Sequence, residues 1–214
     1  ATIIVTPTFT NEGVSCDGPT ESFTITVNPT AQVDIAVDQV VCNAEAISVL
    51  FTTENTVGVT AYAWTSDIEI GAGLTGAGDM SFTAANEGTD PLVATIIVTP
   101  TFTNEGVSCD GPTESFTITV NPTAQIDVIT SQVLCNNELT ELVAFTTQNT
   151  NGDTSYTWIN DTPSIGLAAT GSVDITSFTA ANEGTEPLVA TIIVTPTFTN
   201  EGVSCDGPTE SFTI

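Results

Sequence analysis

The sequence contains no lysine, arginine or histidine, whereas its 26 acidic residues give a formal charge of -26. Nucleic acids and anionic membrane surfaces are bound through basic side chains, so we expect neither as a partner. The absence of lysine excludes Schiff-base chemistry, and the absence of histidine removes the usual titrating group near neutral pH. Carboxylates remain as the general acids and bases, and no pair of them stands out from the repeat pattern, so we expect no enzymatic activity.

Long apolar runs are also absent. No run approaches the roughly 18 residues of a membrane-spanning helix, so we expect no direct membrane insertion. Residues 1–10 lack the charged start and cleavage site of a secretory signal peptide. We expect the whole sequence to be a segment of a longer protein. The chain is nevertheless not a disordered acidic tail, because 40% of its residues are apolar and only 12% are charged.

The sequence is instead dominated by an internal repeat. Residues 1–32 return unchanged at 94–125, and the first 25 of them return again at 190–214, so the period is 93 residues and then 96. The diverged segments between these blocks align through Cys42 with Cys135 and through a tryptophan in each. A period of this length is typical of an independent small β-domain and is too long for the common solenoid repeats.

We therefore divide the chain into three parts. Residues 1–29 are predicted to be strands F and G of a preceding repeat, 30–122 a complete repeat, and 123–214 a second repeat lacking its last residues. In each repeat, turn signals separate short alternating segments such as "ESFTITVNP", in which Phe, Ile and Val share one face. We predict an all-β fold of tandem immunoglobulin-like β-sandwich domains with about seven strands each, arranged end to end.

The predicted strands of the complete repeat follow this alternation. We place them at 32–40 (A), 47–54 (B), 60–66 (C), 68–84 (D and E), 93–103 (F) and 114–120 (G). Pro100 lies inside predicted strand F, where a central strand does not tolerate the loss of an N–H donor, so we expect a bulge or a local edge there.

The elements "VVCN", "YAWTSD", "SFTAANEGT", "VTPT" and "TVNP" together resemble the PKD-like, immunoglobulin-like repeats of giant surface and secreted proteins of the Bacteroidota. The resemblance covers essentially the whole chain. It implies tandem β-sandwich stalks in adhesins and extracellular fibres, commonly exported by the type IX secretion route, and it implies no catalytic activity.

The five cysteines fall into two classes. Cys16, Cys109 and Cys205 share the context "VSCDG" between strands F and G, whereas Cys42 and Cys135 share "CN" between strands A and B. One cysteine of each class per repeat indicates a disulfide framework in an exported protein.

Two pairings of these cysteines are open. Within each domain, the bonds would be Cys42–Cys109 and Cys135–Cys205, with Cys16 paired upstream. However, about ten residues of strand A at roughly 3.3 Å each carry Cys42 to the pole opposite its own F–G loop. In an end-to-end chain, the A–B loop of one domain then faces the F–G loop of the next. Because a disulfide needs Cα atoms within about 7 Å, the pairings exclude each other, and we favour Cys42–Cys205.

The remaining candidates are core and acidic residues. We expect six aromatic residues in the cores, namely Trp64, Trp158, Phe51, Phe145, Phe102 and Phe198. Four carboxylates are candidate Ca²⁺ ligands, namely Asp67, Glu69, Asp79 and Asp110. No D-x-D-x-D-G loop occurs, and scattered solvated acids are the alternative interpretation; beyond Ca²⁺ we expect no cofactor.

These observations predict a structural stalk or fibre segment of a bacterial cell-surface adhesin or extracellular filament, which provides length and resists force and proteolysis. Its partners would be neighbouring repeats of the same chain, with self-assembly into fibres as a further expectation. The alternative is a multivalent binding module that holds glycans or Ca²⁺ through its polar inter-strand loops.

Overall fold

The computed structural model describes residues 1–34 and 36–214, and Ile35 lies outside the described residues. The described chain is all-β, with one 3₁₀ turn at Pro163–Ile165. None of its helical segments has the length and apolar character that crossing a membrane requires. We call residues 1–29 the leading segment, residues 30–122 the first unit and residues 123–214 the second unit; these boundaries stay a prediction.

The leading segment forms four short strands. They are β1 (Thr2–Val5), β2 (Thr8–Asn11), β3 (Val14–Asp17) and β4 (Glu21–Thr24). Strand β1 pairs with β4 and β2 with β3, in both cases antiparallel, and every residue of the four strands is exposed. Phe9 is 73% exposed here, whereas Phe102, at the same position of the first unit, is 1% exposed. The apolar face of this segment therefore lacks the covering strands that the first unit supplies.

The first unit is a β-sandwich. Its strands are β5 (Gln39–Cys42), β6 (Ala46–Val49), β7 (Val59–Ser66), β8 (Thr75–Ala77), β9 (Met80–Thr83), β10 (Leu92–Asn104), β11 (Val107–Asp110) and β12 (Glu114–Asn121). One sheet has the order β5-β12-β10-β7-β8, with β11 also on β10, and the other sheet is β6-β9. Strand β5 is parallel to β12, and all other pairs in these sheets are antiparallel.

The core of the first unit lies between these two sheets. Ile47 of β6 and Met80 of β9 belong to the same buried cluster as Trp64 of β7 and Ile96 of β10. In β10, every second residue from Ala94 to Phe102 is buried, which is the alternation that a sheet with one inward face requires.

Two predicted strands are shorter than expected. Predicted strand A at 32–40 shares only residues 39 and 40 with β5, which continues to Cys42, and predicted strand B at 47–54 is regular only at residues 47–49, in β6. Before and after these ladders, the backbone makes isolated bonds, such as Asp34 N to Thr52 O at 2.8 Å. Single contacts of this kind hold the segments beside the sandwich without forming a sheet.

Pro100 lies where β10 changes partner. Strand β10 pairs with β12 up to Val98 and with β11 from Thr101 onward, so the missing N–H of Pro100 falls between the two ladders. The Pro100 carbonyl accepts a hydrogen bond from Gly111 N at 3.0 Å. This is the local edge expected from the sequence.

The second unit repeats the architecture with fewer regular strands. They are β13 (Asp153–Asn160), β14 (Thr170–Gly171), β15 (Thr191–Asn200), β16 (Val203–Asp206) and β17 (Glu210–Thr213). The sheet has the order β14-β13-β15-β16, with β17 also on β15. The counterpart of the β6-β9 pair is reduced to two isolated bridges, Leu139–Thr179 and Val143–Ile175.

Matched insertions explain this difference from the expected seven strands. Between the two bridges, each segment of the second unit has three residues, whereas two separate the matching pairs Ala46–Thr83 and Val49–Met80 of the first unit. One extra residue in each segment keeps the register of the pairs but reverses the alternation of side chains. Leu139 is exposed and Val143 is buried, as at Ala46 and Val49, and both faces can be kept only if the ladder between them is irregular. The second period is three residues longer than the first: two of these extra residues lie within this strand pair, and the third falls between Trp158 and Ile165, near the 3₁₀ turn.

Candidate functional site: the joint between the units

The "TFTNEGVSCD" stretch forms a tight β-hairpin, where the sequence suggested a polar F–G loop. Strands β10 and β11 are joined by Glu105 and Gly106, whose φ angles are +48° and +78°. Two central residues with positive φ define the two-residue turn that matches the twist of a hairpin. Glutamate is uncommon at such a position, which is why the turn was missed.

Hydrogen bonds between polar side chains link the two strands of this hairpin along its length. In the first unit, Thr101 Oγ1 donates to Asp110 Oδ1 at 2.8 Å, and the hydroxyls of Thr103 and Ser108 share a hydrogen bond of 2.9 Å. The same two bonds recur in the leading segment and in the second unit. The alternating Thr, Ser and Asp of the repeated stretch therefore have a structural role in building the hairpin.

The hairpin tip of the second unit receives an asparagine from the first. Asn121 is fully buried, and its Nδ2 lies 3.4 Å from both Asn200 O and Val203 O. Its Oδ1 accepts a hydrogen bond of 2.9 Å from Asn200 Nδ2. The side chain that ends strand β12 is thus recognised by both strands of the next hairpin.

Asn28 makes the same contacts at the preceding joint. Its Nδ2 lies 3.3 Å from Asn104 O and 3.3 Å from Val107 O, and its Oδ1 accepts from Asn104 Nδ2 at 3.0 Å. Two successive joints in one chain therefore share a single recognition geometry.

A disulfide crosses the joint beside this asparagine. Cys42 is the register partner of Asn121, and it is bonded to Cys205 with Cα atoms 5.6 Å apart. The bond is the inter-domain pair that the length of strand A favoured. Cys16, Cys109 and Cys135 are free thiols.

The within-domain pairing, Cys42–Cys109 and Cys135–Cys205, is not formed. Cys42 lies beside the end of β12, which pairs with the start of β10 at Leu92, whereas Cys109 pairs with Phe102 near the other end of β10. The two cysteines of one unit are therefore at opposite ends of its sandwich, too far apart for one bond.

Loops of both units add further hydrogen bonds between the units. Thr89 O accepts from Thr150 N at 3.1 Å, and Asn151 Nδ2 donates to Asp90 Oδ1 at 3.3 Å. These contacts were not predicted, because nothing in the local sequence identifies a partner in another unit.

The glycine of "VSCDG" is required by close packing. A Cβ at Gly207 would lie 1.9 Å from Ala124 O, and one at Gly111 would lie 2.0 Å from Ala31 O. Both alanines are fully buried, so the backbone that enters each unit runs directly against its hairpin. Only glycine allows this approach.

The candidate Ca²⁺ ligands are not brought together. Among the residues that the structure describes, no three acidic or cysteine side chains form a group able to hold a metal ion. Each carboxylate instead accepts local hydrogen bonds. Asp67 accepts from Thr95 N, Glu69 from Gly71 N and Gly73 N, Asp79 from Phe51 N, and Asp110 from Thr101 Oγ1.

The predicted core residues are all buried. Trp64, Trp158, Phe51, Phe145, Phe102 and Phe198 are each at most 8% exposed. The ring of each tryptophan covers a glycine on the neighbouring strand, Gly76 or Gly171, where a Cβ would lie within 2.2 Å of the ring. Trp158 Nε1 donates to Val173 O at 2.9 Å, whereas Trp64 Nε1 has no partner among the described residues.

Asp161 stabilises a turn of the second unit. Its Oδ1 accepts from Thr191 N at 2.8 Å and from Thr162 Oγ1 at 2.8 Å. These bonds to the backbone N–H and then to the hydroxyl favour the ionised form, so the pKa of Asp161 lies below its ordinary value.

Comparison with known proteins adds little to this geometry. No family model and no curated protein matches the sequence. Among solved structures, the chain is similar to the FN1–FN3 domains of chicken CNTN1, with 13% identity and a TM-score of 0.38 over all of this chain and 75% of that one. Extracellular domains 3–5 of Drosophila OTK give 13% identity and a TM-score of 0.24 over 87% and 68%. Superpositions this weak decide neither the fold nor the function.

Proposed function

We propose that this chain is a segment of an extracellular stalk or fibre, in which β-sandwich units follow one another end to end. The observation that carries the proposal is the joint, where the Cys42–Cys205 disulfide and the Asn121–Asn200 pair connect two units. The resemblance to Bacteroidota surface repeats supports a place on a bacterial surface, reached by the type IX route. A disulfide also suits a protein that works outside the reducing cytosol.

The position of the disulfide gives the joint a mechanical role. The bonded cysteines are 163 residues apart in sequence, and both hydrophobic cores have most of their residues between them. A force applied to the two ends of the chain is carried from Cys42 directly to Cys205. Most of both sandwiches therefore lies outside the path of the force, and their unfolding does not lengthen the chain.

The same bond also stabilises the folded chain when no force is applied. Closing a loop of this length restricts the unfolded chain and stabilises the folded state by about 5 kcal/mol in the chain-entropy treatment. The disulfide also couples the two units, since their facing ends cannot separate while the bond is intact. The absence of lysine and arginine further leaves no cleavage site for trypsin-like proteases.

Charge contributes to the behaviour of such a stalk. The net charge of -26 keeps neighbouring stalks apart through repulsion, which salt would weaken. The alternative role as a glycan or Ca²⁺ binding module has no comparable feature, because the candidate carboxylates are dispersed and engaged in local hydrogen bonds.

Small-angle X-ray scattering of the oxidised chain tests the end-to-end arrangement. Strand β10 has 13 residues, so one unit is about 43 Å long and two units together reach roughly 85 Å. We expect a maximum dimension of at least this length and a radius of gyration well above the roughly 17 Å of a compact globule of 214 residues. A compact particle would overturn the proposal. The Cys42→Ser variant is the matched control and should give a broader, more flexible distribution.

A further inference from the structure

The second unit carries an open groove at the end that lies opposite its hairpin. The groove has a volume of about 590 Å³ and is lined by residues 132–136, 180–182 and 184–189, together with Ile165, Thr213 and Ile214. Val133 is fully exposed and Val189 is 59% exposed on its walls. Apolar side chains at a sheet edge of this kind are normally covered.

The first unit shows what covers the same place. There, Val120 of β12 is fully buried and pairs with Leu92 on one side and with Val41 on the other. The residues at the matching positions of the second unit, Leu188 and Leu134, both line the groove. The groove is therefore shaped for a strand of sequence Thr-Val-Asn-Pro, which follows "ESFTI" in the leading segment and in the first unit.

A free thiol stands beside this groove. Cys135 lines it and is exposed, in a turn that reproduces the turn around Cys42. Cys135 N donates to Glu138 Oε2 at 2.9 Å, and Cys42 N donates to Glu45 Oε2 at 3.0 Å. The counterpart Cys42 is bonded across the joint, so a bonded example of this arrangement exists within the same chain.

We infer that this end of the second unit is a docking surface for one further repeat unit. A Thr-Val-Asn-Pro segment that continues strand β17 lies in the groove, and the "VSCDG" hairpin of the further unit places a cysteine against Cys135. The asparagine of the strand then contacts the hairpin tip, as Asn28 and Asn121 do at the two joints within the chain. The inference rests on the proposed stalk and specifies its next covalent contact.

Bond formation at this surface is an oxidation. The thiols of Cys135 and of the incoming cysteine lose two protons and two electrons and form one S–S bond. The electrons pass to a small-molecule disulfide such as oxidised glutathione, which is reduced to two thiols.

Successive bonds of this kind limit how far a stalk can lengthen. If every joint carries the bond that joins Cys42 to Cys205, then Cys109 bonds to the unit before the first unit, and Cys135 bonds to a unit after the second. These two cysteines are 26 residues apart, so the covalent route between them is at most about 90 Å. One pair of repeats has 189 residues, which would extend to roughly 650 Å without the bonds. The folded length of two units, about 85 Å, is already close to the shorter limit.

The test is a chain lengthened after Ile214 by the sequence of residues 26–122, oxidised with a glutathione redox buffer. Peptides produced by a glutamate-specific protease without reduction are identified by mass spectrometry. We expect the peptide of Cys135 to be joined to GVSCDGPTE, with the peptide of Cys42 still joined to a second GVSCDGPTE. Because the copies of GVSCDGPTE are identical, the added copy of Cys109 is assigned by replacing it with serine, which should free Cys135 and leave the bond of Cys42 in place. We also expect amide exchange in residues 186–190 to be at least tenfold slower than in the original chain.

Two controls separate the outcomes. Replacing the valine of the added Thr-Val-Asn-Pro strand by aspartate should expose the groove again and leave Cys135 open to alkylation. If the unmodified extension leaves Cys135 alkylatable while Cys42–Cys205 forms, the inference is overturned and the proposed stalk stands. Loss of both bonds would overturn both proposals.

Discussion

When the chain is pulled by its two ends, we expect the disulfide to carry the force, so that the residues between Cys42 and Cys205 are not extended. In the oxidised protein, force runs through residues 1–42, across the S–S bond and through residues 205–214. The separation of 163 residues corresponds to roughly 540–590 Å of extended chain, at about 3.3–3.6 Å per residue. Because the bonded Cα atoms are 5.6 Å apart, nearly all of this length is withheld from extension.

Single-molecule force spectroscopy measures this difference directly. We expect the oxidised chain to extend to roughly 180 Å of contour, with events only from the segments outside the disulfide loop, which include β5 and β17 with the core residues Val41 and Phe212. The Cys42→Ser variant, or the wild type in reductant, should extend to roughly 700–770 Å with unfolding events from the two cores. Cys16→Ser is the matched control, because Cys16 is a free exposed thiol and its loss leaves the load path unchanged. Equal contour lengths for the oxidised wild type and Cys42→Ser would refute the load path.

Three further predictions concern stability. Gly207→Ala places a Cβ 1.9 Å from a backbone oxygen, and we expect a loss of about 1–3 kcal/mol in chemical denaturation; an unchanged midpoint would contradict the close packing. Trp158→Phe removes a hydrogen bond that Trp64→Phe does not, so it should cost about 0.5–1.5 kcal/mol more, and equal losses would argue against that bond. The lowered pKa of Asp161 stabilises the fold above the unfolded-state pKa, near 4, and this stabilisation is lost as the pH falls through the folded-state pKa. Asp161→Asn should therefore be less stable than wild type at pH 7 in urea titrations, and the difference should shrink as the pH falls below about 4; a constant difference would refute this origin.

The sheets and the cores could be predicted because they depend on local alternation. Predicted strands F and G begin and end within one residue of β10 and β12, since each has buried side chains at every second position. The position of Cys42 could also be reasoned from strand length alone. The aromatic residues expected in the cores are buried for the same reason, as large apolar side chains on inward faces.

The rest depends on contacts between distant segments. The partner of Asn121 is a hairpin tip 79 residues further along the chain, and no local signal identifies it. The hairpin itself had a signal, the Glu-Gly pair between alternating residues, but glutamate at positive φ is too uncommon to suggest it. The irregular bridges of the second unit follow from two insertions that compensate each other across a strand pair, and their matching is visible only once the pairing is known.

Peptide mapping of the chain without reduction tests the covalent joint most directly. A glutamate-specific protease is suitable, because trypsin has no cleavage site in this sequence. We predict one disulfide-linked pair, in which the peptide of Cys42 is joined to GVSCDGPTE, while Cys135 is recovered as an alkylated thiol. Because Cys16, Cys109 and Cys205 lie in identical GVSCDGPTE peptides, single variants assign the bonded copy: the linked pair should persist in Cys16→Ser and in Cys109→Ser and be lost in Cys205→Ser. A linked pair that is lost in Cys109→Ser and persists in Cys205→Ser would contradict the joint and the load path derived from it.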